Sequence, residues 1–317
     1  MSTQVNPANK TSAVAGAPVV IVGVDGSAHN RAAVTWARNE AEDLGGRLVL
    51  VGATPDHVIP VRGYSLDFPI DFFENETRDT LEHVREELGA DEDDVSMLIG
   101  SGGARPVLLR AAKEADVLVV GKRGLGAAKR MVVGSNSISV AGRSPVAVVI
   151  VPDAWSPADR KAAPIVVGLD GSDLDEAVLT YGFERAVRLA VPLLAIHAWH
   201  LPATYAWSPD DIARWESEAK EQLDSSLTAA REKYPEVEVI TLSQDANAAM
   251  AILDAAAVAQ LVVLGRHTGP HHLGGFHLGS TTRAVLHYAE CPVAVIPSSS
   301  RHPLADVEDL EADQPEF

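Results

Sequence analysis

Between Gly121 and Ser137 the chain carries the residue types that hold an anion. Gly121, Gly124, Gly126 and Gly134 are interleaved with the cations Lys122, Arg123, Lys129 and Arg130, and Ser135, Asn136 and Ser137 follow. Glycine lets a backbone approach a ligand closely, free N–H groups at a helix start point towards negative charge, and the helix dipole favours that charge. The spacing Gly121-x2-Gly124-x9-Gly134-Ser135 is neither the GxxxxGK[ST] of a P-loop nor the GxGxxG of a dinucleotide-binding turn. The bland alternative is a glycine-rich connection that merely turns the chain.

The elements around this loop give it a place. Val117 to Val120 is a short apolar run rich in β-branched residues, which suits a strand buried on both faces of a parallel sheet, and Val146 to Val151 is a second. Upstream, Val19 to Val24 reads as a first strand ending at Asp25-Gly26-Ser27. An amphipathic helix follows, with Val34, Ala37, Ala41 and Leu44 on one face, Ser27 placed to cap it and Gly45-Gly46 to end it. Leu48 to Val51 reads as the second strand, Thr54 to about Asp71 as a loop, Phe72 to Leu88 as a charged helix, Val95 to Ile99 as the third strand and Val107 to Ala115 as a helix.

The pattern then recurs 145 residues later. Ile165 to Leu169 repeats the first strand, Asp170-Gly171-Ser172 repeats Asp25-Gly26-Ser27 letter for letter, and Leu193 to Ala198 matches the second strand. Leu261 to Gly265 matches Leu118 to Gly121, Gly279-Ser280 matches Gly134-Ser135, and Pro292 to Pro297 answers Pro145 to Val149. This is a tandem duplication. It divides the chain into a tail at 1–17, a first domain at 18–153, a linker at 154–162, a second domain at 163–298 and an acidic tail at 299–317. Strands alternating with helices predict a parallel sheet with right-handed crossovers in each half, and ligands in such sheets bind beyond the carboxyl ends of the strands where strand order reverses. Asp25 and Gly121 both fall there. Asp25 and Asp170 could instead serve only as turn or cap residues.

Composition narrows the function classes. The net charge of −18 argues against a nucleic-acid role but not against a nucleotide site with local cations. No apolar run reaches membrane-spanning length, and Cys291 is the sole cysteine, so no intramolecular disulfide forms and a cytoplasmic setting is expected. Six acidic residues and no basic ones lie between Asp306 and Phe317, as in a solvated tail.

With the glycine spacing and the repeat in view, the chain resembles a tandem universal stress protein over residues 18–153 and 163–298. The resemblance implies two doubly wound, five-stranded parallel sheets of strand order 3-2-1-4-5, Rossmann-like and similar to the adenine nucleotide alpha hydrolases. It implies ATP, with Mg²⁺ held by its phosphates, as the ligand of a nucleotide-dependent regulator of stress or dormancy, not an enzyme. The family's acidic nucleoside contact falls on Asp25 and Asp170, and its small adenine-side residue on Ala53 and Ala198. Its phosphate loop falls on Gly121, Lys122, Arg123, Gly124, Gly134, Ser135, Asn136 and Ser137, and in the second half on Gly265, Arg266, Gly269, Gly279, Ser280, Thr281 and Thr282. A homo-oligomer through strand five is expected, and no nucleic-acid or membrane partner.

The halves depart from one another. Gly265 to Gly279 is one residue longer than Gly121 to Gly134, and holds His267, His271, His272 and His277 where the first loop has lysines, so its phosphate grip at neutral pH should be weaker. Without HExxH or paired carboxylates these histidines read as a polar loop rather than a metal site. Gly134 to Pro145 is two residues shorter than Gly279 to Pro292, a difference that falls on the helix before strand five. Cys291 reads as a buried structural thiol. Ser101-Gly102-Gly103 is similar to the SGG loop of ATP pyrophosphatases, but it follows strand three instead of strand one and is set aside. No base, water-positioning group and protein-held metal come together as phosphoryl-transfer catalysis needs. The alternatives are a slow ATPase or nucleotidyl-transfer enzyme of the same fold, and a nucleotide-free module whose strands five pair edge to edge within or between chains.

Overall fold

The computed structural model describes residues 17–54, 58–61, 64–67, 70–91, 94–124, 133–158, 162–201, 208–266 and 278–297. The first half runs β1 (Val19–Gly23), a 3₁₀ turn (Ala28–Asn30), α1 (Arg31–Asp43), β2 (Arg47–Thr54), β3 (Val58–Val61), β4 (Tyr64–Asp67), α2 (Ile70–Glu87), β5 (Val95–Ser101), α3 (Ala104–Ala111), β6 (Val117–Gly121), α4 (Ser135–Arg143) and β7 (Ala147–Val151). The second runs β8 (Ile165–Leu169), α5 (Asp175–Leu189), β9 (Leu193–Trp199), α6 (Pro209–Lys233), β10 (Val239–Asp245), α7 (Ala248–Ala256), β11 (Leu261–Gly265), α8 (Ser280–Tyr288) and β12 (Val293–Ile296).

Each half has the expected 3-2-1-4-5 order, but the halves do not keep separate sheets. They join into one ten-stranded sheet, β10-β9-β8-β11-β12-β7-β6-β1-β2-β5. Within this sheet the pairing inside each half is parallel, and β7 and β12 meet antiparallel with Val148 opposite Val295. Because β7 also pairs with β6 and β12 with β11, both edges of each strand five are spent inside the chain. The expectation of a homo-oligomer through strand five is thereby corrected: the partner is the chain's own other half.

Period-two alternation explains the layers. Along β1 and β6, Val20, Val22, Val117 and Val119 point into one apolar core, while Ile21, Leu118 and Val120 point into the other. The first core is closed by α1 and α5 with Leu81, Leu223 and Leu227, the second by α3, α4, α7 and α8. Both cores contain residues from β7 and β12, so the sandwich is continuous across the join.

Several local readings change. The stretch from Thr54 to Asp71 holds a two-stranded antiparallel hairpin, β3–β4. Ser27 precedes the 3₁₀ turn and makes no side-chain cap, while its own N–H donates to Asp25 Oδ1 at 3.0 Å. The helix before strand five is intact, since α4 and α8 are both nine residues long. The extra Glu290-Cys291 lies in the turn after α8. Cys291 is free and buried. Apart from residue 17, the tails at 1–17 and 299–317 lie outside the described residues, as do Gly126, Lys129, Arg130, Gly269 and the four histidines of the second loop.

Candidate functional site

The carboxyl ends of β1, β2 and β6 open onto a cavity of about 930 Å³ at the point where strand order reverses. Asp25 follows β1 through an Asp-Gly-Ser turn that needs Gly26 at φ +73°, and Gly171 stands at +78° in the repeat. Its carboxylate lies against Gly124: a Cβ on Gly124 would sit 2.7 Å from Asp25 Oδ2. The glycine is therefore required by the close approach of loop to carboxylate. Gly23, Ala53, Gly121, Arg123, Gly134, Ser135, Asn136 and Ser137 also line the cavity.

Two helices aim their starts at this space. At α4 the N-cap is Gly134, with no side-chain cap, and the first helical bond is Ile138 N–H to Gly134 carbonyl at 3.1 Å, leaving the Ser135, Asn136 and Ser137 amides ahead of it. At α3 the N-cap is Gly103, again without a side-chain cap, and Gly102, Gly103 and Ala104 line the same cavity. Ser101-Gly102-Gly103 therefore belongs to the site that sequence order argued against. Parallel topology brings the end of strand three next to the end of strand two, with Gly102 N–H donating to Thr54 carbonyl at 2.9 Å.

Not every predicted loop residue faces the cavity. Lys122 turns away and donates from Nζ to the Ala289 carbonyl of the second half at 2.9 Å, with burial pushing its ammonium below the usual lysine range. Its counterpart Arg266 does the same in reverse, donating from Nη1 to the Ser144 carbonyl at 2.7 Å, with burial lowering its guanidinium to about 10. Ser137 Oγ donates to the Gly121 carbonyl at 2.8 Å and Thr282 Oγ1 to the Gly265 carbonyl at 3.3 Å, tying each helix start to its strand end. Arg123 does line the cavity. It is held by an ion pair with Asp153, a largely buried carboxylate just after β7 that also meets His29 Nδ1 at 2.7 Å.

Asp153 and Asn30 are the polar residues that sequence reasoning missed. Asn30 is 5% exposed, lines the cavity and donates from Nδ2 to the Gly23 carbonyl at 2.9 Å, while its Oδ1 has no partner among the described residues. The repeat held a signal, because the same position after Asp-Gly-Ser is Asp175 in the second half. The apolar wall comes from α2, through Phe73, Thr77 and Leu81, and from Val51, Val107 and Leu108.

The second half fills the corresponding places with its own side chains. Asp175 accepts the Asp170 and Gly171 amides at 3.2 and 2.9 Å, with burial raising its carboxyl above the usual range. Asn247 caps α7 by accepting the Ala249 and Met250 amides at 3.0 and 3.2 Å. Gln222 lies over Gly171, where a Cβ would meet its Nε2 at 2.0 Å, and Leu174 presses on Gly265. His197 stands beside Ala198 where the first half has Gly52, with its Nδ1 at 3.1 Å from the Leu169 carbonyl. Asp170 accepts Ser172 N–H at 3.2 Å within its turn, and Gly279, Ser280 and Thr281 form the uncapped start of α8. Among the described residues, no group of three or more His, Cys, Asp or Glu converges as a metal site, and no helix is long and apolar enough to cross a membrane.

A family model described as the universal stress protein family matches residues 18–152 and 162–297. A universal stress protein of Mycobacterium tuberculosis is 34% identical over 285 residues, covering 87% of this chain and 96% of its own. The crystal structure of a universal stress protein from Archaeoglobus fulgidus superposes with a TM-score of 0.63 at 18% identity, covering 88% of this chain and 98% of that one. A universal stress protein solved in complex with cAMP is 28% identical, covers 44% of this chain and 98% of its own, and has a TM-score of 0.31. With both halves matched by the family model and a relative aligned along most of its length, the chain belongs to the universal stress protein family, one such domain in each half.

Proposed function

We propose that the first half binds one adenine nucleotide, ATP with Mg²⁺ carried by its phosphates, and that the chain acts as a nucleotide-dependent regulator in a stress or dormancy response. The observation that carries this reading is the meeting of two uncapped helix starts, α3 and α4, with Arg123 and Asp25 around one cavity. Uncapped N–H groups and a guanidinium suit phosphate oxygens. Asp25 suits the donor hydroxyls of a ribose, and the α2 face beside Ala53 suits a base. The orphaned Asn30 Oδ1 calls for a donor from a ligand or its hydration shell. The second half takes a structural part: Asn247 already holds the amides at the start of α7 and Asp175 those of the Asp170-Gly171 turn, although α8 starts uncapped as α4 does. A cytoplasmic setting belongs to the same reading, resting on cysteine usage.

Gly134 supplies the test. Its φ is −60° and a Cβ there would meet nothing closer than 3.6 Å, so neither backbone nor packing demands glycine. Room for a ligand is what remains. Gly134→Ala should lower the melting midpoint by no more than a few degrees, the effect of a poorer N-cap, and weaken ATP binding by roughly tenfold or more, read by calorimetric titration. Unchanged affinity would show that the site is misplaced. Steady ATP turnover that vanishes in Asp25→Ala while binding persists would favour the enzyme reading. No nucleotide affinity at all would favour the interaction module.

A further inference from the structure

The seam between the halves lies on a pseudo-twofold axis. It passes through the Val148–Val295 pair, each the third residue beyond its proline, Pro145 or Pro292. Helices α1 and α5 face each other across this axis on one side of the sheet. The 145-residue repeat makes Trp36 the counterpart of Tyr181, Glu40 of Arg185, and Asp43 of Arg188. An axis brings counterparts together, so two identical halves would press like charges on each other.

This chain has divided the charges between its halves. Glu40 is fully buried and forms ion pairs with Arg185, itself almost fully buried, and with Arg188 Nη2 at 3.3 Å. The Arg185 guanidinium also lies 5.0 Å from the centre of the Trp36 ring. Asp43, at the rim, feels Arg188. Burial, with Arg188 close by, lowers the Arg185 guanidinium to about 9, so it stays cationic at neutral pH. Two buried Glu40 side chains, or two buried Arg185 side chains, would lack a counter-charge in an apolar wall, and leaving a buried charge unpaired is among the most costly changes at an interface.

We propose that the α1–α5 seam is a heterotypic recognition surface. It accepts a half of the opposite charge at these positions, supplied here by the same chain, and it refuses a second copy of its own half. The seam reads the type of half. The short connection from Val151 to Ile165 then supplies the partner at high effective concentration. Each half bearing the cavity is thereby matched with a half of the other type. This assignment stands on the seam geometry and does not depend on what the cavity binds.

Three variants of the full chain test it. E40R/D43R makes the seam all basic, R185E/R188D makes it all acidic, and the fourfold combination restores complementarity with the sides exchanged. Each one-sided variant should lose roughly 5–10 °C of melting midpoint, and the fourfold variant should recover most of that loss. Mixing the two one-sided variants should give a 1:1 complex of twice the chain mass by light scattering, which neither forms alone. If a one-sided variant does not fold alone, refolding the two together reads the same complementarity. The proposal falls if the one-sided variants keep the parent midpoint and the mixture forms no complex. It also falls if the fourfold variant is as unstable as either one-sided one.

Discussion

Lys122 and Arg123 are neighbours in sequence and part company in space. Arg123 lines the cavity under the hold of Asp153, while Lys122 crosses to the Ala289 carbonyl of the other half. Arg123→Ala should weaken the proposed ATP binding roughly 10- to 100-fold with little loss of melting midpoint. Lys122→Met should do the reverse, leaving affinity within about threefold and lowering the midpoint by a few degrees. Glycine spacing made the loop legible, because only the backbone is constrained there, but it does not tell which way a side chain leaves the loop. The spacing therefore points Lys122 and Arg266 at phosphate, whereas in the fold they are clasps between the halves. Beside the clasp, Val133 N–H donates to His287 Nδ1 at 3.4 Å, and burial, Arg283 and Lys122 together lower the imidazole from its ordinary 6.5. A depressed histidine stabilises the fold while neutral, so its contribution is complete above about pH 6.5 and is lost as pH falls through the folded value. Between pH 7.5 and 5 the parent's melting midpoint should therefore fall more than that of His287→Gln. Parallel curves would show that the imidazole is not coupled to folding.

At the scale of elements, the central strands were readable to within a residue or two because their apolar runs are buried on both faces, whereas the half-exposed edge strand β10 gave no such run and β2 extends three residues beyond the expected Val51. Ile165–Leu169 and Leu261–Gly265 coincide with expectation. The start of α3 was not readable as part of the site, because chain order separates Ser101 from Asp25 and only the parallel crossover brings them to one edge. The two halves use this helix start in opposite ways, with Asn247 capping α7 and Gly103 leaving α3 bare. Gly103 has an ordinary φ of −63° and space for a side chain, the nearest atom to a Cβ being Pro106 Cδ at 3.7 Å. Gly103→Asn should therefore install the missing cap. It should stabilise the fold by a few tenths of a kcal/mol in denaturant titration and lower ATP affinity severalfold, since the cap and the ligand compete for the Arg105 amide, Pro106 at the next position having none. Stability and affinity rising together would place the ligand elsewhere.

Across the whole molecule, duplication and divergence divide the labour. The tandem repeat was evident from Asp25-Gly26-Ser27 and Asp170-Gly171-Ser172, and it placed site residues in both halves, with a weaker phosphate grip expected in the second. What the repeat could not reveal is that one sheet runs through both halves, or that Asn247 caps in the second half the helix start left uncapped in the first, with Asp175 and Gln222 set against the Asp170-Gly171 turn. Those differences are single residues on matching elements, and their effect exists only once the helices are in place. The central claim is thus an asymmetric chain, with one half built to take a nucleotide and the other to support it. Native mass spectrometry of the full chain, with Mg-ATP titrated through the millimolar range, tests this directly. The account predicts saturation at one ATP per chain, abolished by Gly124→Glu. Two ATP per chain would contradict the division between the halves, and none would contradict the nucleotide reading itself.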